Sequence, residues 1–325
     1  MDHGYDVIGD VHGSIDHLEG LLTVLGYRSA SGGGPWRHPE RIAVFVGDLI
    51  DRGPGQRAVI DLVRAMVDAG AALITLGNHE FNAIGYWTVV HDDAGQPIGH
   101  LRTRNDKHTK QHHVFTDELG LDSPEHAEVI EWFRTLPMWL ELPGLRVVHA
   151  CWSDQHIEHL RAAHGGSGVP TGAEALAQLY TKQTEGNDAI EVVLKGPEVG
   201  LPEHLWYLDK DGNLREEARY RWWGGGADTL RGRAVLPDGS RRPDGSPHPG
   251  FDDTPIDGDV AAPYTEPTPV IIGHYWLHGD ARPLADQVAC VDYSAVAGGH
   301  LVAYRFDGER VLTADKMVAY PPGAR

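Results

Sequence analysis

The sequence predicts an α/β fold, and three strand-like runs separated by two helical patterns are the basis of this prediction. The runs cover residues 5–9, 41–46 and 72–76, and the second is apolar enough to be buried on both faces of a parallel sheet. Apolar residues recur at helical spacing in 15–25 and 58–67, and Gly26 and Gly70 follow as helix ends. The order βαβαβ is typical of a parallel sheet covered by helices.

Polar side chains follow these strands at the point where each strand ends. Two further apolar runs, 145–148 and 270–272, also end in a histidine. In open α/β sheets the carboxyl ends of the strands are the edge at which ligands bind. The strand-end residues are Asp10, His12, Asp48, Asn78, His149 and His274.

These six groups are two carboxylates, three imidazoles and one amide, and together they predict a metal site. Nitrogen and oxygen ligands without thiolate suit Mn²⁺, Fe²⁺ or Zn²⁺. Six ligands are too many for one catalytic ion with an open position, but they suffice for two ions that share a carboxylate. Two divalent ions, with Mn²⁺ as the first choice, would clamp an in-line displacement at phosphorus.

Three residues beside the ligands could assist such a displacement. His79 follows a ligand on the opposite side of the backbone, so it is a candidate proton donor to the leaving oxygen. Asp51 could hold the other ring nitrogen of His79. Arg52 could contact phosphoryl oxygens with both arms of its guanidinium.

The remaining segments are predicted to cover the site rather than to build it. We expect one domain over 1–325, with a helical cap-like insertion at 86–140 and an irregular insertion at 153–268. The histidine-rich stretch 105–113 is interpreted as a solvated face or a cap in preference to a metal site. Residues 288–292, 301–306 and 311–312 are predicted to be closing antiparallel strands, with a turn at Asp307-Gly308.

Composition limits the partners and the compartment. The formal net charge of −19 argues against duplex DNA or RNA, which basic faces bind. No apolar run reaches the roughly 18 residues of a membrane span, and the start of the chain has no secretory pattern. The two cysteines, Cys151 and Cys290, are expected to be reduced, and the expected location is the cytoplasm. Nothing in the sequence predicts an oligomeric state.

Three motifs resemble those of the calcineurin-like metallophosphoesterases, and specifically of their phosphoprotein phosphatase branch. They are Gly-Asp-Val-His-Gly at 9–13, Gly-Asp-Leu-Ile-Asp-Arg-Gly at 47–53 and Gly-Asn-His-Glu at 77–80. The resemblance implies a two-sheet sandwich flanked by helices, with insertions over the edge that carries a dinuclear metal site.

Carried over by motif, the resemblance implies a role for each residue. Asp10, His12 and Asp48 would hold one ion, and Asp48, Asn78, His149 and His274 the other. His79 and Asp51 would form the acid pair, and Arg52 would bind phosphate. A second phosphate arginine is expected to be Arg219 or Arg221, and the sequence does not choose between them.

The first functional hypothesis is hydrolysis of phosphate monoesters, including phosphoserine or phosphothreonine, by in-line attack of a metal-bridging hydroxide with His79 as general acid. The alternative is hydrolysis of a dinucleoside polyphosphate such as diadenosine tetraphosphate, and the end of the chain at 291–301 resembles bacterial enzymes of that kind. An adenine base would then stack on an aromatic ring, for which Tyr86, Trp87, Trp222 and Trp223 are candidates. A third hypothesis is a non-catalytic metal-binding protein. The expected partner is a phosphorylated small molecule, nucleotide or phosphoprotein.

Overall fold

The structure is a computed structural model that describes residues 3–29, 34–209, 212–224, 226–237, 239–256 and 263–321. The chain divides into two compact units. The larger unit is Met1–Lys195 with Pro267–Arg325, and the smaller unit is Gly196–Glu266. The segment 153–268 was predicted as one insertion. Its first part supplies helices to the larger unit, and residues 196–266 form the whole of the smaller unit.

The strands, in chain order, are β1 (Gly4–Ile8), β2 (Arg41–Phe45), β3 (Ala72–Ile74), β4 (Val89–His91), β5 (Pro97–His100), β6 (Trp139–Leu142), β7 (Leu145–Val148), β8 (Glu198–Gly200), β9 (Tyr207–Leu208), β10 (Leu214–Arg215), β11 (Glu217–Arg219), β12 (Val270–Ile272), β13 (Val288–Cys290), β14 (Asp292–Tyr293), β15 (His300–Phe306) and β16 (Met317–Tyr320).

The helices are α1 (Ile15–Leu25), α2 (Gln56–Asp68), α3 (Asn78–Trp87), α4 (Asp106–Leu119), α5 (Pro124–Arg134), α6 (Asp154–His164), α7 (Ala173–Tyr180), α8 (Glu185–Lys195) and α9 (Leu230–Arg233). Short 3₁₀ turns lie at Glu203–Leu205, Ala295–Ala297 and Ala314–Lys316. Among the described residues, no helix is long and apolar enough to cross a membrane.

Two sheets form the core of the larger unit, as predicted, and β4 and β5 pair as a separate hairpin. The first has the order β14-β15-β1-β2-β3, with β16 also paired to β15, and its strands β1, β2 and β3 are parallel. The second has the order β13-β12-β7-β6, and β13, β12 and β7 are parallel. Alternate side chains of both sheets form one buried core, to which Val7, Val44, Val147, Ile271 and Val302 belong. The α/β sandwich is therefore confirmed.

The closing strands differ from the prediction. The run 288–292 is split, because β13 runs parallel to β12 in the second sheet whereas β14 pairs antiparallel with β15 in the first. Residues 311–312 form no strand, and β15 pairs instead with β16. Leu312 is nevertheless buried, and its backbone N–H donates to the Asp286 carbonyl outside any strand. An apolar pair at that position indicated burial and not strand pairing.

The two predicted insertions have distinct structures. Residues 86–140 contain the hairpin β4–β5 and the helices α4 and α5, whose first turns are capped by Asn105 and Ser123. The smaller unit has two short antiparallel ladders, β8–β11 and β9–β10, around its own buried core. Leu201, Tyr207 and Phe251 belong to that core, so this glycine- and proline-rich segment is more than a surface loop.

Candidate metal and phosphoester site

The site is built where the loop after β2 meets the loop after β3. A Cβ atom on Gly77 would overlap the backbone nitrogen of Asp48, and Gly47, at φ 98°, lies against Gly77. Only glycine allows two backbones to approach so closely. The N–H of His79 donates to Asp48 Oδ1 at 2.9 Å, which fixes the carboxylate between the two loops.

The Glu80 side chain binds both of these loops. Its carboxylate accepts hydrogen bonds from the backbone N–H groups of Asp48 and Leu49, each at 2.8 Å, and from Gly77 at 3.1 Å. The side chain is fully buried. The last residue of the third motif therefore anchors the loop after β2 to the loop after β3.

Left-handed backbone is concentrated here. Non-glycine residues at positive φ are uncommon and cost on the order of 1–3 kcal/mol each, so surrounding structure must hold them in place. Nine described non-glycine residues have positive φ, and six of them lie in the loops after β1, β2 and β12: His12, Asp48, Asp51, Arg52, His274 and Trp276.

Four of the predicted metal ligands converge in one cluster. Asn78 Oδ1 lies 3.0 Å from His149 Nε2 and 2.7 Å from His274 Nδ1, and His149 Nε2 lies 3.4 Å from Asp48 Oδ1. Ligand atoms of Asp48, His149 and His274 all lie within 4.8 Å of one another. The Nδ1–H of His149 donates to the Val46 carbonyl at 2.7 Å, which directs its Nε2 into the cluster.

A second cluster shares Asp48 and contains His12 and His79. The Nδ1–H of His12 donates to the Ile50 carbonyl at 2.6 Å. Its Nε2 is buried, has no hydrogen-bond partner among the described residues and lies 3.6 Å from Asp48 Oδ2. Burial lowers the pKa of His12 to about 3, so this nitrogen carries a lone pair at neutral pH. A divalent cation would satisfy it, and the donor set fits such an ion.

Asp10 lies at the same edge in a different arrangement. Both of its carboxylate oxygens accept from the backbone N–H of His274, at 3.2 and 3.3 Å. Burial and the carboxylates of Asp292 and Asp48 raise the pKa of Asp10 well above its ordinary value. Burial would also raise the pKa of Asp48, but His149 and His79 outweigh it and lower that pKa well below its ordinary value. Asp10 therefore borders the cluster through the loop that carries His274.

The predicted acid pair is present, and a third residue joins it. His79 Nδ1 lies 2.5 Å from Asp51 Oδ2, and both side chains are buried. Burial lowers the pKa of His79, but Asp48 and Asp51 outweigh it and raise the pKa above its ordinary value. His112, from the histidine-rich stretch, approaches the same Asp51 oxygen at 2.9 Å.

Arg52 lies beside this pair at the exposed rim. Its Nη2 is 3.4 Å from His79 Nε2, and its guanidinium lies 3.8 Å from the ring centroid of Trp276. Trp276 belongs to the loop after β12, and its backbone N–H donates to Asp292 Oδ2 at 2.8 Å. A guanidinium stacked on an indole is held in a fixed plane, which suits bidentate contact with a phosphoryl group.

A match to the family model for calcineurin-like phosphoesterases covers residues 5–225, which include the first four of the five ligand-bearing strands. The chain belongs to the calcineurin-like phosphoesterases. This family assignment agrees with the motifs at 9–13, 47–53 and 77–80, which predicted a metal-dependent hydrolase of phosphoester bonds.

Two relatives of this calcineurin-like phosphoesterase carry the name bis(5'-nucleosyl)-tetraphosphatase. Bis(5'-nucleosyl)-tetraphosphatase PrpE (asymmetrical) of Halalkalibacterium halodurans is 47% identical over 76 residues, which span 23% of this chain and only 30% of the relative. Bis(5'-nucleosyl)-tetraphosphatase, symmetrical, of Pectobacterium carotovorum is 23% identical over 326 residues, which span 96% of this chain and 94% of the relative.

A solved structure supports the fold. A protein serine/threonine phosphatase from Saccharomyces cerevisiae is 12% identical, aligns over 100% of this chain and 81% of its own, and gives a TM-score of 0.50. At that identity the likeness concerns the architecture only, and it agrees with the two-sheet sandwich described above.

The remaining predicted residues of this phosphoesterase lie outside the two clusters. Arg219 ends β11 and Arg221 is exposed, and both belong to the smaller unit. Among the aromatic candidates, Tyr86 and Trp222 are buried, whereas Trp87 and Trp223 keep part of their surface exposed. A phosphate-binding role for either arginine, and a base-stacking role for these rings, stay predictions.

Four residues of the site were not identified from the sequence. Glu80 stood in a motif but received no role. Trp276 lies on the loop after β12 and Asp292 at the start of β14, and the contact between them joins segments that are separate in the sequence. His112 stood in a stretch that was interpreted as a solvated face or a cap. Helical spacing could have placed His112 with Phe115 and Leu119 on one buried face of α4, but not against Asp51.

Proposed function

We propose that this phosphoesterase hydrolyses bis(5'-nucleosyl) tetraphosphates. The observation that carries the proposal is the relative of that name that aligns along nearly the whole chain, insertions included. A second relative with the same substrate in its name is 47% identical over 76 residues of the chain. The monoester hypothesis, which the sequence analysis placed first, has less support than its alternative.

The proposed ligand set follows from the geometry. Asp48, Asn78, His149 and His274 would hold one divalent cation, and His12 with Asp48 the other, with Asp10 completing the second set. The buried, lone-pair-bearing Nε2 of His12 and the converging atoms around Asn78 Oδ1 support this assignment. Bound cations of this kind neutralise phosphoryl charge and acidify an attacking water.

The protein's own side chains would then handle the leaving group and the phosphates. Hydrolysis adds the oxygen of one water to phosphorus and places a proton on the released oxygen. His79 Nε2 faces the rim and is the proposed proton donor, with its Nδ1–H held by Asp51. Arg52 is the proposed ligand of a phosphoryl oxygen, and binding there would draw its Nη2 away from His79.

The chemistry of the leaving group distinguishes the two substrate classes. A nucleotide phosphate is a stabilised leaving group that gains less from protonation, whereas a serine or threonine alkoxide depends strongly on the proton from a general acid. Loss of a general acid typically costs about 10²–10⁴-fold in rate. His79→Asn should therefore reduce cleavage of a phosphopeptide more strongly than cleavage of a dinucleoside tetraphosphate.

A substrate panel with added Mn²⁺ tests the proposal: diadenosine tetraphosphate, a phosphoserine peptide and p-nitrophenyl phosphate. We expect the highest kcat/KM for the dinucleotide. Separation of the nucleotide products shows whether cleavage yields two ADP or ATP with AMP, the two modes in the relatives' names. Efficient turnover of the phosphopeptide with none of the dinucleotide would overturn the proposed substrate class.

A further inference from the structure

His112 is a fully packed member of the site that comes from outside the three motifs. It lies on α4, in the 86–140 insertion, and only 1% of its surface is exposed. Its Nδ1 lies 2.9 Å from Asp51 Oδ2 and 3.2 Å from Asp51 Oδ1. The Nδ1 of His112 thus contacts both oxygens of the carboxylate that also binds His79.

The rest of the His112 ring is held by packing. Its Nε2 is buried and has no hydrogen-bond partner within the described part of the chain, so its polar contact is directed at Asp51. The Tyr86 ring lies 5.4 Å away, and the Tyr86 hydroxyl contacts Thr109 Oγ1 at 3.0 Å, one helical turn before His112. The ring is therefore fixed by α3 and α4 together.

Asp51 needs such support because its own backbone is in the left-handed region, at φ 68°. Its N–H donates to Gln56 Oε1 at 2.6 Å, which fixes the main chain but leaves the side-chain torsion to other contacts. Burial would raise the pKa of Asp51, but His112 and His79 lower it below its usual range, which keeps the group a carboxylate. Two donors on one buried carboxylate fix its plane.

We propose that His112 is a positioning residue, which orients the Asp51 carboxylate and through it the ring of His79. This inference rests on the proposed role of His79 and Asp51 in proton transfer. The cap-like insertion would then complete the acid pair, so that docking of α4 is a condition for turnover. Misplacement of a catalytic group by about 1 Å can cost on the order of 10²-fold.

An isosteric pair of variants tests this role. His112→Asn keeps an N–H donor near the position of Nδ1, whereas His112→Leu has a similar volume and no donor. His113→Leu is the matched control, because His113 is exposed on the same helix and its Nδ1 contacts the Lys110 carbonyl. Each variant is assayed for kcat, KM and bound Mn²⁺ on the best substrate of the wild-type panel.

We expect His112→Leu to lose at least about 10-fold in kcat, with KM and Mn²⁺ content within about 2-fold of wild type. His112→Asn should recover most of that loss, and His113→Leu should behave as wild type. Should the leucine variant fail to fold, His112→Met provides a second donor-free side chain for the same comparison with asparagine.

Three results would overturn the inference. They are a donor-free variant with wild-type kcat, equal losses in the asparagine and the donor-free variants, and a change in KM alone. A wild-type protein that binds Mn²⁺ but hydrolyses none of the panel substrates would instead overturn the proposed function, and the inference with it. The two failures are thus distinguishable.

Discussion

The packing of α3, α4 and α5 depends on a neutral histidine, and this makes stability sensitive to mild acid. His126 is 1% exposed, and its ring meets Trp87 at 4.7 Å and Phe115 at 5.1 Å between centroids. Its Nδ1 accepts a hydrogen bond from the Asp122 N–H at 3.3 Å, a role that a protonated ring cannot play. Burial lowers the pKa of His126 from 6.5 to about 4.

The direction and size of the effect follow from that pKa. Because the unfolded chain binds the proton first, the contribution is fully present above pH 6.5 and is lost as the pH falls towards 4. Between pH 7.5 and pH 5 the loss from His126 alone is about 2 kcal/mol. Since α4 carries His112, the same protonation loosens the support of Asp51.

Urea unfolding of the metal-free protein at pH 7.5, 6.5, 5.8 and 5.0 measures this contribution. His126→Asn keeps an acceptor for the Asp122 N–H but does not titrate. Between pH 7.5 and pH 5.0 the free energy of unfolding of this variant should therefore fall by about 2 kcal/mol less than that of wild type. His113→Asn, on an exposed site, should keep the wild-type dependence. Parallel pH profiles for wild type and His126→Asn would refute the reasoning.

Three further predictions concern the site and its surroundings. His79→Asn should lower kcat by about 10²–10⁴-fold on a substrate with an alkoxide leaving group while Mn²⁺ binding measured by calorimetry is kept, and a parallel loss of metal would contradict its role. Trp276→Leu removes the ring on which the Arg52 guanidinium stacks, so substrate binding through Arg52 should weaken and KM should rise about two- to five-fold in steady-state assays. An unchanged KM would contradict a role of this stacking in substrate binding. Tyr180→Phe removes the hydrogen bond to the Phe81 carbonyl at 2.6 Å, and thermal unfolding should show a loss of about 1 kcal/mol rather than none.

The parts of the site that were predictable lie at the ends of strands. The carboxyl ends of parallel strands meet at one edge, so Asp48, Asn78 and His149 could be placed together from the sequence alone. Asp48 and Asn78 follow strands of the first sheet, whereas His149 and His274 follow strands of the second. His149 Nε2 lies within 3.4 Å of both Asn78 Oδ1 and Asp48 Oδ1, and His274 Nδ1 lies 2.7 Å from Asn78 Oδ1.

What could not be predicted depends on contacts between distant segments. His112 and Asp51 are 61 positions apart, and nothing in a histidine-rich helix tells which ring faces a carboxylate on another element. The pairing of β15 with β16 instead of 311–312 was missed for a similar reason, since a short apolar run indicates burial but not its partner.

The central claim is that the strand-end side chains of both sheets hold two divalent cations that share Asp48. Anomalous diffraction from crystals grown with Mn²⁺ measures this directly. Two manganese peaks should appear, one among Asp48, Asn78, His149 and His274 and the other beside His12 and Asp48. Manganese peaks only at other places in the molecule, or none at saturating Mn²⁺, would contradict the account.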